Sequence, residues 1–411
     1  MSPDTTPAYP RLLERQLRRD LELYPVVSVM GARQVGKTTL ARKIGRERGF
    51  AYLTLDDREI RRQAMEDPEG LLESVAATGA VIDEIQRAPE VLLAMKRVVD
   101  QEQRPGRFLV TGSNQPRVRV SVADSLQGRV AYRTLRPLTM SEQRYDEAEP
   151  IWTSFFALES PELISNLGEA AELNRGLTWQ DAVATGGMPR ALAAPPGERA
   201  RILDDYTRTF ANRDIREVLG IESSERFETF FRLVAARTAF VLNVSRMSRE
   251  LGMPIHTVRR WIDAIERSYM TITVQPYSRN AATRLVQSPK LFLVDSGLAL
   301  AAAREPVATG FHMETLVANA LHVWQDRGTG RAVYHWRLGS GPEVDFVLEH
   351  AQSVVPVELK VTDRVDRRDA RHLEYFLAAY TEAACGILLS SDPNIRFVAD
   401  RVIAVPWWAV L

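Results

Sequence analysis

An α/β protein of several parts is predicted by three observations. Short apolar runs alternate with amphipathic stretches through the first 150 residues. One of those runs leads directly into a glycine-rich segment ending in Lys37-Thr38. Strand-like runs then stop between about 150 and 237 and return towards the C-terminus. Strand–helix alternation with strands apolar throughout argues for a parallel sheet covered on both faces.

The chain has 411 residues, 53 basic and 53 acidic side chains, 45% hydrophobic and 26% charged residues. That profile excludes fibrous and wholly disordered classes and fits two to four domains. Zero net charge argues against a protein that binds nucleic acid by being cationic overall. The charge is uneven, however: the net is +2 for 1–150, −4 for 151–235, +6 for 236–304 and −4 for 305–411. Only five basic residues are lysines (Lys37, Lys43, Lys96, Lys290 and Lys360); the rest are arginines. In so arginine-biased a chain, a retained lysine can mark a position that needs a compact ammonium. The single cysteine, Cys385, excludes a disulfide framework and a thiolate zinc site. Met1–Pro10 lacks the apolar run of a signal peptide, and the longest apolar stretch, Leu291–Ala303, is interrupted by Asp295 and too short to span a bilayer. A cytoplasmic protein with no membrane partner is expected.

In the first part, 1–150, strands are expected at Val26–Met30, Ala51–Leu55, Ala80–Asp83, Phe108–Thr111 and Val130–Leu135, with helices at Thr38–Glu47, Leu71–Ala76 and Val91–Gln101. Gly31-Ala32-Arg33-Gln34-Val35-Gly36-Lys37-Thr38 is a phosphate-loop pattern in the strand–loop–helix setting its chemistry requires. Its glycines let backbone N–H groups wrap phosphate at a helix N-terminus. Lys37 is expected at the β/γ-phosphates and Thr38 on Mg²⁺, with Thr39 beside them. The apolar run Ala80-Val81-Ile82 ends in Asp83 and Glu84, which suits Asp83 to Mg²⁺ and Glu84 to polarising a water. Ser113 or Asn114, at the exit of the Phe108 strand, could sense the γ-phosphate. Arg129 could neutralise transition-state charge, in cis or from a neighbouring subunit, with Arg33 a weaker candidate.

Between 151 and 237, apolar spacing of three to four in Arg199–Phe210 and Glu225–Ala236 predicts packed helices. From 238 to 304, Asn243–Gly252 followed by Met253–Ile262 reads as helix, glycine-containing turn, helix. His256, Thr257, Arg259 and Arg260 then stand near the exposed start of the second helix, where a recognition helix meets DNA. Two further strands, Met270–Val274 and Lys290–Val294, complete a winged-helix pattern. A protein-contact or packing role for the same unit stays open.

The last part, 305–411, begins with a helix at Glu314–Trp324, followed by strands at Ala332–Trp336, Val344–Glu349, Val354–Val361 and Ile387–Ser390. Asp345 on one strand, with Glu358 and Lys360 on one face of the next, could converge around Mg²⁺ or Mn²⁺, and Glu314 could add a carboxylate. Lys360 would then assist a metal-activated hydroxide on a phosphodiester. A structural cluster that does not cleave is the other reading.

These residues resemble the prokaryotic AAA-type ATPases that carry a C-terminal domain of unknown function of the 4143 type. The resemblance rests on Gly31–Thr38, Val81–Glu84, Thr111–Asn114, Asp214–Gly220, Tyr277–Asn280, Ser288–Asp295 and Gly341–Lys360. It implies an AAA-like P-loop core, a helical and winged-helix middle, and a C-terminal restriction-endonuclease-like α/β domain similar to PD-(D/E)xK nucleases. Asp345, Glu358 and Lys360 match that nuclease pattern, with Glu314 as accessory acid; Pro342 is separated from Asp345 by two residues rather than beside it. Gly186-Gly187-Met188-Pro189 looks like the Gly-x-Pro sensor of switch-type ATPases and equally like a loop that ends a helix. The implied ligands are ATP or ADP, Mg²⁺ and DNA, with a homo-oligomer formed through the ATPase part. Two functions compete: an ATPase coupled to a metal-dependent nuclease, and an ATP-gated switch whose C-terminal half binds without cleaving.

Overall fold

The computed structural model describes residues 9–102, 104–114, 128–146, 148, 150–157, 161–173, 176–215, 224–280, 287–339 and 341–411. They form two compact units: Met1–Leu138 with Ile265–Met270, and Thr139–Ala264 with Thr271–Leu411. The sequence had suggested four parts with breaks after 150, 237 and 304. Strands on both sides of 304 share one sheet in the second unit.

The first unit holds α1 (Glu14–Leu23), β1 (Val26–Met30), α2 (Lys37–Arg48), β2 (Ala51–Thr54), α3 (Arg58–Glu66), α4 (Pro68–Glu73), β3 (Ala80–Asp83), α5 (Val91–Gln101), β4 (Phe108–Gly112) and β5 (Val130–Thr134). The strand order is β2-β3-β4-β1-β5, all parallel. Side chains alternate across this sheet as a strand requires. Ala80 and Ile82 join Leu71, Leu72, Ala94 and Met95 in one core, whereas Val81 lies against Gly45 of α2, so closely that a Cβ there would be 2.5 Å from Val81 Cγ2. Helices therefore cover both faces, and every β-strand C-terminus points to one edge.

The second unit adds α6 (Trp179–Thr185), α7 (Arg199–Thr209), α8 (Ser224–Ala235), β6 (Phe240–Val241), α9 (Val244–Leu251), α10 (Ile255–Arg267, which ends in the other unit), β7 (Thr271–Pro276), β8 (Lys290–Leu293), α11 (Ser296–Ala303), α12 (Gly310–Asp326), β9 (Ala332–Arg337), β10 (Glu343–His350), β11 (Ser353–Lys360), α13 (Arg371–Ala379), β12 (Gly386–Ser390), β13 (Arg396–Ala399) and β14 (Val402–Pro406). Its nine strands run β13-β14-β12-β11-β10-β9-β7-β8-β6. One face packs Phe346, Leu348, Val355 and Val357 against Val317, Leu321 and Trp324 of α12. The other packs Val347, Val354 and Leu388 against Leu373, Phe376 and Leu377 of α13.

The join between the expected winged-helix and C-terminal parts is β7 beside β9, parallel, with Gln275 opposite Tyr334 and Pro276 opposite His335. β8 then pairs antiparallel with β7, and β6 with β8. The helix–turn–helix is present as α9 and α10: Asn243 caps α9 by accepting from the Arg246 N–H, and Gly252 ends it at φ 59°.

Gly186-Gly187-Met188-Pro189 ends α6. Buried Asp295 accepts the Gly187 N–H at 2.5 Å and, as cap of α11, the Leu298 N–H at 2.8 Å. Burial raises its pKa despite those donors. Gly186 has φ 59°, and a Cβ there would lie 2.5 Å from Asp295 Oδ1. The helix-ending reading thus has a physical basis within this unit. Asp295→Ala should lower stability by about 2 kcal/mol, since it removes a cap and leaves two buried N–H groups without an acceptor. Equilibrium urea unfolding checks this, and a change under 0.5 kcal/mol would contradict it.

Candidate functional site

The loop after β1 is built as the sequence pattern requires. Gly31 passes so near β5's end that a Cβ would sit 2.2 Å from the Leu135 carbonyl oxygen, and Gly36 takes φ 100° at the start of α2. Arg11 donates to the Val35 carbonyl at 2.6 Å, tying α1's approach to the loop. Ala32, Val35 and Lys37 are buried, Arg33, Gly36 and Thr38 half-buried, and Gln34 and Thr39 exposed. Lys37 Nζ donates to the carbonyls of Gly31 at 2.9 Å and Ala32 at 2.7 Å. Burial lowers its pKa to about 8, with Glu84 and Asp83 pulling the other way.

Asp83 ends β3 beside this loop because β3 and β1 flank β4. Thr38 Oγ1 donates towards Asp83 at 3.0–3.1 Å, Tyr52 OH donates to it at 2.6 Å, and Thr111 Oγ1 donates to it as well. Burial and that bond to Asp83 push the Tyr52 phenol up to about 12. Glu84 has φ 61°, a left-handed backbone that turns it out of the strand direction. Its Oε2 accepts from Gln86 Nε2 and from Ser113 Oγ at 3.3 Å, and Gln86 also reaches Ser113 at 3.0 Å. Of the two sensor candidates, Ser113 contacts Glu84; Asn114 is half-buried next to it. Tyr52 and Gln86, which belong to no motif, were missed by sequence reasoning, and Thr111 was read only as the first residue of Thr111–Asn114 with no role for its hydroxyl. The only available signal was Thr111's place at the end of an apolar strand.

Arg129 requires a correction. It precedes β5, and its carbonyl accepts the Val26 N–H at the start of β1. The phosphate loop leaves β1 at the opposite end, four residues and about 13 Å of parallel strand away. Arg129 Nε instead pairs with Asp100 Oδ1 at 2.6 Å. A role in its own chain's loop is excluded by this geometry, leaving only one in a neighbouring copy's site. Leu126 and Gln127 before it, and 216–220 of the Asp214–Gly220 region, lie outside the described residues.

On α10, His256, Arg259 and Arg260 are exposed and Thr257 is half-buried, while Val258, Trp261, Ile262 and Ile265 are buried.

In the C-terminal sheet the acids do converge, but around an ammonium. A bulge between Val344 and Val347 sets Asp345 and Phe346 against His335 alone, which re-aims Asp345. Phe346 pairs with Val357, so Asp345 and Glu358 face each other one step further along. Lys290 Nζ, from β8, lies 3.0 Å from Glu314 Oε2 and 3.4 Å from Asp345 Oδ1. Asp345 Oδ2 accepts the Leu359 N–H at 2.9 Å. Lys360 Nζ donates to Glu358 Oε1 at 2.8 Å, confirming that the two share a face. Burial first, then Asp345, pushes both Glu314 and Glu358 up to about 8, while the facing carboxylates hold the buried Lys290 ammonium above its ordinary pKa. His335 is driven down to about 4 by burial and then by Lys290. Pro342 sits in the β9–β10 turn, where its carbonyl accepts the Leu338 N–H.

Asp345, Glu358 and Glu314, expected around a metal, converge here beside the Lys290 ammonium. Among the described residues no three His, Cys, Asp or Glu side chains are arranged to hold a metal ion. The physical reason is Lys290, whose ammonium engages two of the three carboxylates. The sequence singled out this lysine only as one of five.

Three family models match the chain: an AAA domain over residues 23–143, a domain of unknown function (DUF8612) over 177–308, and another (DUF4143) over 309–410. Among curated proteins, the uncharacterized proteins Rv2008c of Mycobacterium tuberculosis and Mb2031c of Mycobacterium bovis are each 26% identical over 416 residues, covering 96% of this chain and 84% of theirs. Among solved structures, the Walker-type ATPase PABY2304 of Pyrococcus abyssi is 15% identical, with TM-score 0.42, over 70% of this chain and 94% of its own. AMPPCP-bound DnaA from Aquifex aeolicus is 12% identical, with TM-score 0.26, over 62% and 86%. No helix among the described residues is long and apolar enough to cross a membrane. The chain thus joins a segment that matches an AAA domain model, residues 23–143, to one that matches the DUF4143 model, residues 309–410.

Proposed function

We propose that this protein is an ATP-gated switch: it binds and hydrolyses ATP in its first unit, and its second unit contacts DNA through the helix–turn–helix region rather than cleaving it. The observation that carries the first half is the convergence of Lys37, Thr38, Asp83 and Glu84 at one sheet edge. Lys37 is buried and bonded only to loop carbonyls that a phosphate would replace. The Thr38–Asp83 pair has the hard oxygen donors that Mg²⁺ prefers. Mg²⁺ arriving with the nucleotide would supply charge neutralisation at the phosphates. Lys37 and the loop N–H groups orient the phosphates, and Glu84, held by Gln86 and Ser113, accepts a proton from the attacking water.

The observation that favours the non-cleaving reading is Lys290 among the acids. Its ammonium offsets the carboxylate charge that a divalent cation would otherwise neutralise, so no step of phosphodiester hydrolysis is assigned here. The DNA contact is supported by the net charge of +6 over 236–304 and by exposed His256, Arg259 and Arg260.

Four outcomes are expected. Glu84→Gln should lower ATP turnover by about 100-fold or more while ATP binding persists, measured by phosphate release and calorimetry; unchanged turnover would remove Glu84 from this role. Lys37→Ala should weaken ATP binding by about 30-fold or more, and an unaltered affinity would sink the site. Lys290→Met should cost about 3 kcal/mol or more at pH 8, because it leaves Glu314 and Asp345 buried without their cation. That cost should shrink at pH 5, where Glu314, held at about 8 by burial and then by Asp345, takes up a proton, and a cost independent of pH in urea unfolding would contradict the ionic assignment. With Mg²⁺ or Mn²⁺, the wild type should leave single- and double-stranded DNA intact; cleavage lost in Asp345→Ala would overturn the non-cleaving reading.

A further inference from the structure

A cavity of about 530 Å³ opens in the second unit between α9, α10 and the β6–β8 edge of the sheet. Four arginines line it: Arg237, Arg246, Arg259 and Arg337. Glu250 pairs with both Arg237 and Arg246, at 2.9 Å for the latter, and Glu343 lies 3.6 Å from Arg337. Against four cations those two acids leave an excess of two positive charges. The exposed start of α9, with Asn243 and Ser245, also lines the space and adds its helix-terminal N–H groups. At its rim stands Phe240, 42% exposed, with its ring centroid 4.5 Å from that of Phe311, itself 43% exposed.

Phosphate backbone is what a concave arginine cluster recognises, through paired N–H donors. An aromatic platform next to it suits an unpaired base, whose face is available only in a single strand. A duplex keeps its bases stacked inside and presents no such face to Phe240. We propose that this cleft binds a single strand of nucleic acid, its phosphates on Arg246 and Arg259 and a base on Phe240. The strand passes beside the helix–turn–helix rather than across the outward start of α10. This inference rests on the nucleic-acid part of the proposed function and is independent of ATP turnover and of the Lys290 cluster.

The test is fluorescence anisotropy of a labelled 15-nucleotide oligo-dT and of a 15-base-pair duplex with the full chain, titrated from 50 to 200 mM salt. Wild type should prefer the single strand. Arg246→Gln with Arg259→Gln should weaken it about tenfold or more and reduce the salt slope by roughly 1.4, the share of two phosphate contacts on a single strand. Phe240→Ala should weaken it about tenfold with the salt slope unchanged. Arg246→Lys with Arg259→Lys should retain most of the slope, and melting temperatures equal to wild type would exclude misfolding. Arg62→Gln with Arg97→Gln, exposed and outside the cleft, should leave single-strand affinity unchanged, whereas His256→Ala with Arg260→Gln, on the outward start of α10, should lower duplex affinity. Duplex binding lost only in the His256/Arg260 pair, with single-strand binding weak, would overturn the cleft while sparing the DNA reading. Binding of neither nucleic acid would overturn both.

Discussion

The contact between Lys290 and the carboxylates of Glu314 and Asp345 is the constraint on which the second unit turns. Carboxylates buried at that depth need a cation or a proton close by. The cation comes from β8, a strand the sequence assigns to a different part of the protein from the acids. It reaches them because β7 pairs with β9 and carries β8 into the same sheet. Two residues of parallel pairing at Gln275 and Pro276 thus decide whether Asp345 faces an ammonium or would need a metal. The bulge on β10 completes the arrangement by turning Asp345 towards both Lys290 and the Leu359 N–H.

A second buried ammonium organises the first unit on a different principle. Lys37 has no carboxylate within bonding distance among its described hydrogen bonds; it rests on two backbone carbonyls, and burial lowers its pKa. It is a buried cation held by neutral acceptors. Lys290, by contrast, is already matched and held charged. The same side chain serves as an open site in one unit and as a closed one in the other. What differs is whether the chain supplies the negative charge itself.

Most of the parallel sheet was legible because its strands are continuous apolar runs: Val26–Met30 and Ala80–Asp83 were read with the observed bounds, and the other three within one residue at one end. The phosphate loop was legible for a related reason, since local backbone chemistry alone demands its glycines. Helices α1 and α3 were missed: their sequences are dominated by arginine and glutamate and carry few apolar markers. β13 and β14 were missed as well, the first being short and half-exposed. The convergence of Asp345, Glu358 and Glu314 was anticipated, but its partner was not. Sequence spacing reports neighbours along a strand, and Lys290 is a neighbour only through strand pairing between distant segments. Arg129 illustrates the same gap, because its direction depends on which end of a parallel strand it occupies.

The account stands most directly on the identity of the charge at the centre of the C-terminal cluster. Crystals of the full chain grown with Mn²⁺, and an anomalous difference map at the manganese edge, locate it. The account predicts no anomalous peak among Glu314, Asp345 and Glu358, with the Lys290 ammonium between Glu314 and Asp345. A manganese ion bound by Asp345 and Glu358, with Lys290 displaced, would contradict it.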